Sequence, residues 1–127
     1  MRVKLKHIDE LTEERVQISE SYLAGIRNEQ IVLPGKREGA SHVYHLFVVR
    51  ISERERFSAY LKKYGIDTQI HYPIPPHRAM CYKNYTWSNV ILPITEKYSR
   101  EVISLPLYNG MTTAETDFVI QAINNFQ

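Results

Sequence analysis

Residues 65–81 read Gly65-Ile66-Asp67-Thr68-Gln69-Ile70-His71-Tyr72-Pro73-Ile74-Pro75-Pro76-His77-Arg78-Ala79-Met80-Cys81. The stretch opens on a glycine where a helix should stop and runs through a short apolar strand over Thr68–Tyr72. It then enters a proline-rich loop. Proline fixes φ and pushes its predecessor out of the helical region, so residues 72–77 are expected to be extended and stiff. His71, Tyr72, His77 and Arg78 stand around this loop and can donate hydrogen bonds to phosphate, carboxylate or sugar hydroxyls. The residues alone leave two readings open: a pocket for a polar ligand, or surface residues on a rigid turn.

On the N-terminal side, Ser52-Glu53-Arg54-Glu55 has the spacing of a capping box. It predicts a helix to about Tyr64 that buries Phe57, Tyr60, Leu61 and Tyr64, with Gly65 supplying the positive φ of its end. Lys62 and Lys63 suit the negative end of that helix as solvated charges. Before it, His42–Ile51 (HVYHLFVVRI) is the strongest strand pattern in the chain. Val43, His45, Phe47, Val49 and Ile51 alternate with Tyr44, Leu46, Val48 and Arg50. Both sets are largely apolar, which predicts a central strand covered on both faces. His45 is either a satisfied core histidine or a ligand contact. Ile31–Pro34 reads as a short extended piece and Gly35–Ser41 as a polar turn. Residues 1–28 read as one long amphipathic helix, or a lead-in plus a helix capped at Thr12. Leu5, Ile8, Leu11, Ile18, Tyr22 and Ile26 fall on one face, and Arg15 interrupts the stripe.

On the C-terminal side, residues 82–90 form a polar-aromatic loop, and Pro93 opens a short helix to about Arg100. Val102–Leu105 is a third short strand closed by Pro106. Thr112-Thr113-Ala114-Glu115 is a second capping box, starting a final helix with Phe118, Val119, Ala122, Ile123 and Phe126 on its face. The order predicts an α+β two-layer sandwich, a sheet of three or four strands with helices mainly on one face. Residues 1–28 would be its N-terminal helix and residues 29–127 the sandwich proper. Strand order stays open between a parallel crossover through the 52–64 helix and antiparallel pairing.

The totals bound the function. At 127 residues the chain is one domain with room for a core. A net charge of +2 without a basic stripe argues against nucleic acid. No apolar run approaches the roughly 18 residues of a membrane span, and no signal-peptide pattern opens the chain. Cys81, the one cysteine, has no internal disulfide partner, which suits the cytoplasm. There is no glycine-rich phosphate loop and no nucleophile elbow. Paired acids such as Glu53 and Glu55 sit at predicted helix starts, where capping explains them. His71, His77 and Cys81 lack a fourth ligand and the spacing of a zinc site, so no metal is expected. No catalytic residue is assigned.

Several blocks resemble the C-terminal small domain of the DegT/DnrJ/StrS sugar aminotransferases. They include Lys4–Asp9 with the following helix, His42–Arg50, Gly65–His77, Leu92-Pro93-Ile94-Thr95-Glu96 and Ile103–Tyr108. The His-Tyr-Pro-x-Pro-x-His block is the most specific. The resemblance covers nearly the whole chain in order. It implies a pyridoxal 5′-phosphate enzyme acting on nucleotide-linked keto-sugars, closest to those making 3-amino-3,6-dideoxyhexoses for lipopolysaccharide and other surface polysaccharides. It implies that His71, Tyr72 and His77 lie near the substrate, with His45 and Arg50 as weaker candidates. Arg78 departs from the glutamine or leucine expected there.

The family's large domain, which carries the Schiff-base lysine, would precede Met1. This chain alone is therefore expected to bind no cofactor and to be inactive. Its partners in the full enzyme would be that large domain, a homodimer mate and the nucleotide-sugar. Two other readings stay open: a free-standing, non-catalytic module binding a sugar nucleotide, and a partner protein docking through its first helix.

Overall fold

The computed structural model describes residues 2–127. Its centre is a pair of four-residue strands, β1 (Phe47–Arg50) and β2 (Val102–Leu105), which run antiparallel. Phe47 faces Leu105, Val48 faces Ser104, Val49 faces Ile103 and Arg50 faces Val102. Single bridges extend the pair on both sides, Val32 to Arg50 and Gln69 to Ser104. The expected three or four strands are thus two strands with one-residue edges. The Thr68–Tyr72 strand contributes only Gln69, because Pro73 and Pro75 follow at once and proline has no amide to extend a ladder.

Side chains alternate across a strand, and the two faces have different fates. Phe47, Val49, Ile103 and Leu105 are buried together, beneath three helices. These are α2 (Ile8–Gly25) through Ile18 and Tyr22, α3 (Arg54–Lys63) through Phe57 and Leu61, and α5 (Thr113–Asn124) through Val119, Ala122 and Ile123. Arg50 and Ser104, on the other face, meet helix α4 (Pro93–Glu101) and the proline loop instead. This is the α+β layering that the sequence predicts.

Several local expectations need correction. The long first helix breaks into α1 (Arg2–Leu5) and α2, and Leu5 and Ile8 stay exposed, so the apolar stripe engages the core only from Ile18 onward. The His42–Ile51 strand begins only at Phe47. Tyr44 takes a positive φ of 45°, which shifts the alternation by one, so Tyr44 is buried and His45 is exposed. A tyrosine in the left-handed region is unfavourable on its own. Here Arg15 fixes the bend: its guanidinium donates to the carbonyls of Tyr44 (3.0 Å) and His45, and reaches that of Leu107 at 3.5 Å. The charge that interrupts the helical stripe is therefore a backbone clamp.

The Ser52 capping box does not form. Helix α3 starts at Arg54 without a side-chain cap, and Glu55 turns to the Arg54 guanidinium, whose other arm donates to the Ser99 carbonyl at 2.6 Å. The Thr112 box does form, with the Glu115 amide donating to Thr112 Oγ1 at 3.2 Å and the Thr112 amide donating to Glu115 at 2.8 Å. Tyr64 and Phe118 are exposed rather than buried. Gly65 has the positive φ, 73°, that its helix-ending position requires. Gly25 lets α2 approach α5 closely, since a Cβ there would lie 2.8 Å from Ile120 Cδ1.

Replacing Arg15 with methionine keeps its stem but removes three backbone ties. Hydrogen bonds to a charged group each contribute about 1.5–3 kcal/mol, and the exposed part of this clamp contributes least, so the expected loss is about 2–3 kcal/mol in a urea titration. An unchanged midpoint would show that the Tyr44 bend holds without the clamp.

Candidate functional site

The proline loop lies on the sheet face opposite the main core. It bends at His71, Pro73 and Ile74, is extended at Pro75, and then forms a 3-10 turn over Pro76–Arg78, in place of the fully extended run expected. Proline suits the first position of such a turn, where no amide is needed. Two more 3-10 turns, Met80–Tyr82 and Thr86–Asn89, follow. The His71–Tyr72 peptide is cis.

His71 is anchored to β2. Its Nδ1 is 2.9 Å from Ser104 Oγ, and Ser104 is itself buried. The Tyr72 ring meets His71 edge-on at 5.6 Å and is 74% exposed. His77, by contrast, is only 6% exposed, and its Nε2 lies 3.2 Å from Glu96 Oε1 in α4. Arg78 donates to the same oxygen at 2.9 Å and the Leu92 amide reaches it at 3.4 Å. These donors hold the Glu96 carboxyl down at about 2, His77 contributing most, then Arg78 and the Leu92 amide.

The weaker candidates lie elsewhere. Arg50 pairs with Glu101 at 3.1 Å and stacks 4.0 Å over the Tyr98 ring, so its charge is already partnered. His45 is exposed and lines none of the hollows around the loop. The structure thus gathers His71 and Tyr72, ties His77 and Arg50 separately to α4, and leaves His45 apart.

Three hollows follow one another by shared walls, from this side round to α5. The first, about 220 Å³, lies between His71, Tyr72, Pro75, Pro76 and Tyr98. His71 is also a wall of the second, about 240 Å³, with Asp67, Gln69 and Ser104. Asp67 and Pro106 continue into the third and largest, about 470 Å³, floored by Ile66, Met111 and Phe118. Among the described residues no lysine or arginine lines any of the three. The second hollow is polar and holds the Asp67 carboxylate but no cation, which suits hydroxyl groups better than phosphate.

Ser104, Gln69, Asp67, Tyr98 and Glu96 are additions to the residues singled out from sequence. Ser104 had a readable signal, a lone hydroxyl in the apolar strand Val102–Leu105.

The model of the DegT/DnrJ/EryC1/StrS aminotransferase family matches residues 1–124. The chain belongs to this family. The dTDP-3-amino-3,6-dideoxy-alpha-D-galactopyranose transaminase of Aneurinibacillus thermoaerophilus is 40% identical over 126 residues, 99% of this chain and 34% of that protein. Among solved structures, S. venezuelae DesV in complex with a ketimine intermediate superposes with a TM-score of 0.91 at 32% identity, covering 97% of this chain and 33% of that one. NtdA from Bacillus subtilis, solved with bound cofactor PMP, gives 0.81 at 25% identity, covering 93% of this chain and 28% of that one. The chain therefore spans about a third of the length of the family members it matches.

Glu96 generates a pH prediction. A carboxyl held near 2 in the folded chain, against an ordinary 4.5, contributes stability above pH 4.5 that is lost as pH falls through about 2. The urea midpoint is expected to fall over that window, and to fall less in Glu96→Gln. Equal acid sensitivity in the two proteins would mean that other carboxylates account for the loss.

Proposed function

We propose that residues 1–127 are the small, substrate-side domain of a pyridoxal 5′-phosphate-dependent transaminase acting on a nucleotide-linked keto-sugar. The observation that carries this reading is the match along nearly the whole chain to sugar aminotransferases about three times as long. The relative from A. thermoaerophilus supports a 3-amino-3,6-dideoxyhexose as the product, which in turn suits a cytoplasmic role in lipopolysaccharide or other surface-polysaccharide synthesis.

The residues present do not fit the coenzyme. A Schiff-base lysine needs a desolvated setting that lowers its pKa. Lys4, Lys6, Lys36, Lys62, Lys63, Lys83 and Lys97 are all exposed, Lys36 is paired with Glu20, and none lines the three hollows. The lysine and the groups that tune the coenzyme as an electron sink belong, in this reading, to a large domain, with a second subunit completing a homodimer. An apolar run on the site side fits such a cover: Tyr72, Ile74, Met80, Ile91 and Ile94 are each more than half exposed.

Within that enzyme this chain positions substrate. His71, with its ring fixed by Ser104, and Tyr72 present hydrogen-bonding groups to the sugar ring. Gln69 and Asp67 stand beside them for further hydroxyls. Holding the ring in one orientation lowers the barrier without proton transfer by these residues. A lining with the acid Asp67 and no cation favours a diphosphate site in another part of the enzyme. His77, Arg50 and His45 act less directly, the first two through α4.

The test compares two proteins. The chain alone, mixed with pyridoxal phosphate and borohydride, is expected to trap no adduct at a single lysine. A hybrid in which it replaces the matching third of the A. thermoaerophilus transaminase is expected to bind the coenzyme and aminate the dTDP-linked keto-sugar. His71→Ala in that hybrid should lower kcat/KM on the order of 10- to 100-fold. A specific adduct on the short chain, or a coenzyme-loaded hybrid that cannot transaminate, would overturn the reading.

A further inference from the structure

The loop that presents His71 and Tyr72 is tied to β2 at its near end, through Gln69 and His71, and to α4 at its far end, where the holding point is one atom. Three donors converge on Glu96 Oε1: His77 Nε2 at 3.2 Å, Arg78 Nη2 at 2.9 Å and the Leu92 backbone amide at 3.4 Å. Glu96 stands in the first turn of α4, so its bond to the Leu92 amide also closes the start of that helix. His77 opens no cavity wall and is nearly fully buried, so its ring is committed to this contact. A carboxylate only accepts hydrogen bonds, so the proton of the neutral His77 ring sits on Nε2. The same helix carries Tyr98, which walls the first hollow and stacks on Arg50.

We propose that Glu96 is a positioning residue: by fixing the His77 ring and drawing Arg78 to the same oxygen, it latches the proline loop to α4 and so sets where His71 and Tyr72 stand over the hollows. Its catalytic consequence rests on the substrate-side reading above, while the latch itself does not. Arg78 gains its role here as the second tie. The same pairing offsets its charge beside hollows whose lining carries no cation.

The latch is tested first on the chain itself. Long-range proton–nitrogen NMR spectra at about pH 8.5, well above the ordinary histidine pKa of about 6.5, report which ring nitrogen carries the proton. For His77 the expected result is a single form protonated at Nε2. In Glu96→Ala both nitrogens should move toward the averaged values of a free imidazole, and Glu96→Gln, whose amide oxygen can still accept, should restore the Nε2 form. A wild-type His77 that is averaged or protonated at Nδ1 overturns the latch, and this outcome needs no variant to fold.

The positioning role is read in the hybrid transaminase. Glu96→Ala should raise KM for the nucleotide-sugar about tenfold with kcat changed less than about threefold, and Glu96→Gln should recover most of it. An active hybrid whose KM ignores Glu96→Ala overturns the positioning role. A hybrid that fails to transaminate at all counts against the proposed function alone, and the nitrogen spectra still decide the latch.

Discussion

Everything in this chain hangs on the register of two four-residue strands. With Phe47 opposite Leu105 and Val49 opposite Ile103, four apolar side chains point into one layer, where α2, α3 and α5 cover them. The same register sends Ser104 and Arg50 to the other face. Because the side-chain period of a strand is two, a slip of one residue would put Ser104 into the core and Ile103 under the proline loop. Hydrophobic burial on one face therefore dictates the position of the polar group that holds His71 on the other. The site is not built separately from the core, since the core fixes its base.

Charge is managed on the site side by pairing. Arg50 goes to Glu101, Arg54 to Glu55 and the Ser99 carbonyl, and Arg78 to Glu96. All three reach α4, so the guanidiniums tie that helix to β1, α3 and the proline loop while presenting little free charge to the hollows. An arginine left unpartnered beside His71 would attract phosphate, where a paired one leaves hydrogen-bonding groups without a strong field.

The layering, the Val102–Leu105 strand, the Thr112 cap and the Gly65 helix end were legible in the sequence because each leaves a local pattern, apolar periodicity for the first two and cap or turn residues for the others. What the sequence hid depends on partners far away. Tyr44 leaves the strand because Arg15, some thirty residues earlier, binds its carbonyl and that of His45. The Ser52 box fails because Arg54 takes Glu55 while reaching toward Ser99. Of the candidate site, His71 and Tyr72 were readable from their place on a rigid loop after a strand. Glu96 was visible only as part of a block shared with the family, since nothing local says that a helix-start glutamate will meet a histidine 19 residues before it.

These long-range ties also explain why the two faces differ in character. The core face closes on itself, with Asn124 bonded to the Gly25 carbonyl and Asn28 to those of Ile123 and Phe126, joining the ends of α2 and α5. The site face has no such layer. Its loop runs from Tyr72 to Leu92 with large apolar side chains in solvent and only short 3-10 turns to satisfy its backbone. Few buried apolar contacts mean low local stability, so without a fixed tie such a segment would sample many positions. A loop that must present two rings at a set distance cannot rely on packing it lacks. Convergent hydrogen bonds to one buried-edge carboxylate supply the constraint, and they do so without filling the hollows that a substrate would need.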